Sequence, residues 1–347
     1  MYFLPIAAGT LFQQLYNTAD ALIVGKYLGT ASFAAVTSSG PLIFLFTSFF
    51  IGAALGSGVV ISRYFGEGDA ENVSRSVHTT VALALVCGAF MTVAGVVTSP
   101  MILRWMNTPT EIIDDAVSYI RIIFAAIPVT MLYNMTAGIL RSLGDSRTPV
   151  LFLIMAALLN VVLDLAFILL LGMGVAGAAW ATNIAMFLSC LYALQYYWRG
   201  KSVVRLKLGC IGIYRDLVWR SAGIGFAPFL QQLLGSLINV SLAAAFAKWA
   251  ADEASATQQV ASLGVFQSVL ILVFMPILGA QQGLQPIFGY NWGARNFRRV
   301  RAALVLGFWV TTALCVLACV IQVIPPLPTL LARLFVSADN PALVRLA

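Results

Sequence analysis

Charge is what this 347-residue chain has least of. Only 10% of its residues are Asp, Glu, Lys or Arg, against about a quarter in soluble domains. The hydrophobic share is 61% and the mean hydropathy +0.92, which excludes a soluble globule. Its five cysteines (Cys87, Cys190, Cys210, Cys315, Cys319) are odd in number and lack metal-ligand spacing, so they read as packing thiols. One histidine, His78, stands at the edge of an apolar run and is expected to be solvated. The apolar runs do not alternate with polar residues, which argues against membrane-spanning strands. The net charge of +7 is not gathered on a polar domain, so it gives no reason to expect a nucleic-acid partner. No signal peptide is seen; Met1–Leu4 already sits in an apolar run, so the chain is expected to be cut at its start.

What remains is apolar length. Spans of about twenty residues are read at Tyr2–Val24, Pro41–Ile61, Val81–Val97, Ala116–Leu140, Val150–Leu171, Val175–Tyr197, Leu217–Phe246, Val260–Ile287 and Ala302–Ile324. Leu327–Val336 is a candidate interfacial stretch. The expected class is all-α, a polytopic helical membrane protein in contact with lipid. Fourteen of the twenty bases fall in the even-numbered breaks between spans, which the positive-inside rule makes cytoplasmic.

The longest polar connection divides the chain into residues 1–198 with six spans, a cytoplasmic linker 199–220, and 221–347 with about three spans. An internal repeat supports that division. Without a gap, Gly52-Ala53, Gly56, Gly66 and Val73 fall on Gly279-Ala280, Gly283, Gly293 and Val300. Such a repeat is a common transporter plan, and it leaves the second half about three helices short.

Eleven of the thirteen acids lie in or beside the breaks; Asp20 and Asp164 do not. An acid at membrane depth costs about 2.5–3.5 kcal/mol on insertion scales and by default marks a functional cavity. Gln13, Tyr16, Asn17 and Asp20 follow i, i+3, i+4, i+7 and line one helix face. Asn160 and Asp164 are spaced i, i+4. Tyr133 and Asn134 on the fourth span and Thr182 and Asn183 on the sixth complete the polar set; taken singly, these amides and the threonine fit interhelical hydrogen bonding equally well. If Asp20 and Asp164 share a cavity they titrate as a coupled pair. The pair can hold a proton, or Na⁺ at Asp20, Asp164 and Asn160, in exchange for an organic cation. Tyr16 and Tyr133 can add cation–π attraction, although core packing is the commoner fate of such rings. Pro5 and Pro128 lie in helical spans, where a proline makes a hinge or, more commonly, a static bend; Pro5 is the candidate hinge. Asp145 reads as a turn or cap residue.

These pieces, in order, resemble the multidrug and toxic compound extrusion (MATE) family. The resemblance rests on Pro5, Gln13, Tyr16 and Asp20 followed by Val24-Gly25; on Ser62-Arg63, Gly66 and Asp69; on Leu140-Arg141, Gly144-Asp145 and Pro149; and on Gln285-Pro286, Gly289-Tyr290-Asn291 and Gly293-Ala294-Arg295. It covers the whole chain, as roughly three quarters of a family member. It implies a two-lobed fold of twelve helices in a prokaryotic cytoplasmic (inner) membrane, a monomer without enzymatic activity or cofactor. The implied task is export of organic cations driven by H⁺ or Na⁺. The implied ion-linked cluster is Gln13, Tyr16, Asp20, Asn160 and Asp164, with Asn134 and Thr182. Two rivals remain: a flippase for lipid-linked oligosaccharides of the same superfamily, and an intramembrane aspartyl hydrolase using the two acids.

Overall fold

A computed structural model describes residues 39–105, 112–200, 202–249 and 253–324, together with 5, 6, 8–10, 12, 13, 20, 23–28, 32, 35 and 36. Tyr16, Asn17 and the stretch 327–347 lie outside the described residues. Those described before Ser39 are helical. After them come α1 (Gly40–Glu67), α2 (Ala70–Trp105), α3 (Ile113–Ala125), α4 (Ile127–Ser142), α5 (Arg147–Leu165), α6 (Gly174–Trp198), α7 (Arg215–Trp249), α8 (Glu253–Gly293) and α9 (Phe297–Val323). No strand occurs among the described residues. Five of these helices, counting α5 with the π turn Ala166–Leu170 that continues it, are long and apolar enough to cross a membrane; α3 and α4 together make a sixth. Each span expected after the first falls within one of these helices or the α3–α4 pair, apart from one residue at the ends of α5 and α9. Large apolar side chains such as Phe90, Leu158, Leu306 and Trp309 are exposed, as a lipid-facing surface requires.

The third pair shows how a broken span is held. α3 and α4 meet at 49°. Pro128 has no N–H, which leaves the Phe124 carbonyl without its helical donor. Ala126 N–H turns to Ile123 O at 3.2 Å, which frees the Ile122 carbonyl as well. Both are taken by neighbouring helices: Thr92 Oγ1 on α2 donates to Phe124 O at 2.8 Å, and Asn183 Nδ2 on α6 donates to Ile122 O at 2.5 Å. Pro128 therefore sits in a fixed bend, and Asn183 makes an interhelical bond rather than facing a cavity.

The repeat persists through its connecting turns. Asp69 N–H bonds to Tyr64 O and Gly68 N–H to Phe65 O, with Gly68 left-handed at φ 75°. At positions 227 residues later, Asn296 N–H bonds to Asn291 O and Arg295 N–H to Trp292 O, with Arg295 left-handed at φ 54°. Asp69 Oδ1 accepts from Asn72 N–H, and Asn296 Oδ1 accepts from Arg299 N–H, the same cap in the same register. α1 packs on α7 and α8. At its α8 crossing a Cβ on Gly66 would strike the Tyr290 carbonyl, and one on Gly293 would strike the Arg63 carbonyl. Adding 227 turns 63 into 290 and 66 into 293, so the two contacts are exchanged by a local pseudo-two-fold.

His78 departs from expectation. It is 1% exposed, not solvated. Its Nε2 accepts from Lys207 N–H at 3.0 Å, which assigns the proton to Nδ1, 2.7 Å from Ser74 O. The linker is held there by two further contacts: Val204 and Leu206 are buried with Val73, Val77 and Tyr197, and Arg75 lies 4.3 Å from the Tyr214 ring centroid.

Candidate functional site

Asp164 and Asn160 stand one turn apart on α5, both at 0% exposure. Their helix runs directly into the π turn, whose wider hydrogen bond joins Leu171 N–H to Ala166 O. In the amide orientation that satisfies its neighbours, Asn160 Nδ2 donates to Asp164 Oδ2 at 3.0 Å. Its Oδ1 then accepts from both Oγ1 and N–H of Thr182 on α6, each at 3.2 Å. The order Thr182, Asn160, Asp164 is thus one directed chain of donors ending on the carboxyl group. From the first span, the Asp20 carboxyl group comes within hydrogen-bonding reach of the Asp164 carboxyl group. A bond between two carboxyl groups needs a proton on one of them. The Oδ1 atoms of both acids are buried and have no hydrogen-bond partner among the described residues.

Two acids brought this close can attract positive charge. Two carboxylates at this range repel unless a proton or a cation lies between them. Asn160 orients Asp164, and Thr182 in turn orients Asn160. No group of three or more His, Cys, Asp or Glu suited to a metal ion occurs among the described residues. A cation here would draw its oxygens from the acid pair and from neutral groups.

Gln13, Tyr133 and Asn134 assemble elsewhere. They line a cavity of about 60 Å³ with Thr10, Arg141, Ser146 and, from α8, Gln282. It has room for a few waters. Asp20 and Asp164 are not among its walls. The sequence-predicted residues therefore fall into two groups, an acid pair with its donors and a polar cavity. Asn134 spends its amide on its own helix, Nδ2 donating to Thr130 O at 2.8 Å. Arg141, Ser146 and Gln282 were missed by sequence reasoning. Arg141 is seven residues after Asn134, on the same helix face, and that spacing was the available signal. Gln285 Nε2 donates to Leu55 O at 3.0 Å, tying α8 to α1, and Tyr290 packs its ring 5.6 Å from that of Phe65. Asn291 Nδ2 bonds to Ile287 O at 2.8 Å; Pro286 lies inside α8. Pro5 is half-buried in the first span. Asp145 does act as a cap, its Oδ1 accepting from the N–H groups of Arg147 and Thr148 at 3.1 and 3.0 Å.

The MatE family profile matches residues 5–168 and 231–347. The chain belongs to the MatE family. It is 27% identical over 319 residues to the probable multidrug resistance protein YoeA of Bacillus subtilis (strain 168), covering 89% of this chain and 67% of that one. It thus spans about two thirds of the length of that relative. A multidrug resistance MATE family transporter of the MOP superfamily, solved in an outward-facing conformation, superposes with a TM-score of 0.88 at 26% identity, covering 99% of this chain and 74% of that one. A MOP superfamily transporter from Pyrococcus furiosus superposes with a TM-score of 0.87 at 26% identity, over 99% and 74% of the two chains; its binding pocket is described as having reverse polarity, suggesting a different function. MatE proteins are multi-pass membrane transporters with a two-lobed helical fold, not enzymes. The apolar helices of this chain fit that class.

Proposed function

We propose that this chain provides the ion-coupling part of a secondary antiporter that exports organic cations in exchange for H⁺ or Na⁺. The supporting observation is the close approach of Asp20 and Asp164, with a buried Oδ1 on each acid that has no partner among the described residues. A proton, a sodium ion or the charged end of a cationic guest can each neutralise that site, and two of them cannot do so together. Competition for one negative site is a coupling free energy between cargo and ion. Residues 1–198 act as one lobe carrying the site, 199–220 as the cytoplasmic linker and 221–347 as part of the second lobe, in a monomer.

The flippase reading would call for a cavity lined by bases to hold pyrophosphate. Arg141 is a single base at the small cavity, and the deeply placed charges are acids. A hydrolase would use the same two acids, but the family's members are transporters.

The test is efflux of a fluorescent cation from vesicles, driven separately by proton and sodium gradients. Asp20→Asn and Asp164→Asn should each lower gradient-driven efflux at least tenfold while leaving membrane insertion intact. Unchanged efflux in both variants would overturn the proposal. The gradient that drives the unaltered protein identifies the ion.

A further inference from the structure

The turn between α8 and α9 presents four exposed arginines within seven residues: Arg295, Arg298, Arg299 and Arg301. No acid occurs in the chain from Ala254 to Ile324, and Glu67, which α1 brings beside Gly293, is paired with Arg63 at 3.0 Å. Beside them Trp292 and Phe297, 54% and 55% exposed, stack edge to face with centroids 5.4 Å apart. From Arg301 the patch continues into an exposed apolar face of α9 formed by Leu304, Val305 and Phe308, spaced i+3, i+4 and i+7.

The repeat supplies an internal control. The equivalent α1–α2 turn has the same hydrogen bonds and the same cap, yet it carries Gly68, Asp69 and Glu71 where this one carries Arg295, Asn296 and Arg298. The turn itself therefore does not demand bases. Two of the choices here even oppose local stability. Arg295 occupies a left-handed conformation that glycine fills in the other copy. α9 also opens with bases and no acid in its first turn, against the helix dipole. A feature that costs the fold locally calls for an external partner.

We propose that the α8–α9 turn is a docking surface for the headgroups of anionic phospholipids. The guanidinium groups hold the phosphates, a geometry to which their planar forks are suited. The Trp292–Phe297 pair seats in the interfacial layer, where amphipathic rings concentrate. Continuity with the lipid-facing side of α9 selects a bilayer over a soluble acidic partner. This inference stands independently of the acid pair and its transport role.

Native mass spectrometry of the purified, delipidated chain in neutral detergent tests it, with phosphatidylglycerol, phosphatidylcholine and inorganic phosphate as separate probes. Phosphatidylglycerol should be retained at least tenfold more strongly than phosphatidylcholine. The triple variant R298Q/R299Q/R301Q should lose that preference. R147Q/R199Q/R205Q, which removes the same charge from exposed positions elsewhere, should keep it. In the unaltered chain the preference should collapse between low salt and about 0.5 M salt, a readout that needs no variant to fold. Equal retention of the two lipids, equal loss in both triple variants, a preference indifferent to salt, or displacement of phosphatidylglycerol by inorganic phosphate would each overturn the proposal.

Discussion

The Asn160 side chain is fully committed: its NH₂ serves Asp164 and its carbonyl serves Thr182. Removing the Thr182 hydroxyl while keeping its volume would leave only the Thr182 N–H to hold the amide, loosening its grip on the acid. A hydrogen bond to a charged group is worth about 1.5–3 kcal/mol, and 1.4 kcal/mol is tenfold in affinity. Thr182→Val should therefore weaken apparent affinity for the coupling ion about tenfold, and Thr182→Ser should restore it; an ion-dependence curve for efflux reads both. A second residue-scale prediction concerns Asp69. Its carboxyl group is held below its ordinary value of 3.8, first by the backbone N–H of Asn72 and then by that residue's side chain. A depressed folded value means that the cap stabilises the charged form above the ordinary carboxylate range. That contribution is lost as pH falls through the depressed value. Asn296 makes the same cap without a titrating group. Asp69→Asn should thus keep the helix start and flatten the acid side of the thermal-midpoint profile.

At the scale of elements, the α3–α4 bend is the most tightly specified feature. Two carbonyls freed within one turn are each met by a side chain from a different helix. Leaving a buried carbonyl unpaired costs about 1–3 kcal/mol, so Asn183→Leu and Thr92→Val should each lower stability by that order. The double variant should fall short of the sum, because both bonds serve one break; unfolding midpoints in detergent check it. The helices α1 to α9, though not the break between α3 and α4, were legible in the sequence because apolar length is a local property, and Asn160 with Asp164 because i, i+4 spacing is one too. His78 was not. Its partner is Lys207, 129 residues away, and nothing local separates a histidine that accepts a linker N–H from one in water. The split of Gln13, Tyr133 and Asn134 from the acids was hidden for the same reason: it depends on which helices meet. His78→Ala should release the linker, seen as faster proteolysis between 199 and 214 with the spans intact.

Across the whole molecule, the α1–α8 crossing joins the two copies of the repeat at their shared axis. Gly66 faces the Tyr290 carbonyl and Gly293 faces the Arg63 carbonyl, so each glycine makes room for the backbone of the other copy. No flexible side chain is available there to yield. Any Cβ must push one helix off the other, and because the two contacts are equivalent, either glycine should produce the same displacement. In the antiporter proposed above, this crossing would close the cytoplasmic side and part for loading. Gly66→Val and Gly293→Val should both favour the parted state, by similar amounts, and the double variant should add little once the helices are separated. Spin labels at Glu67 and Ala294, exposed residues at the ends of α1 and α8, would report a longer distance in each variant. An unchanged distance would mean the crossing is not what holds that side shut. A change in only one variant would mean that the two-fold relation does not extend from geometry to energy.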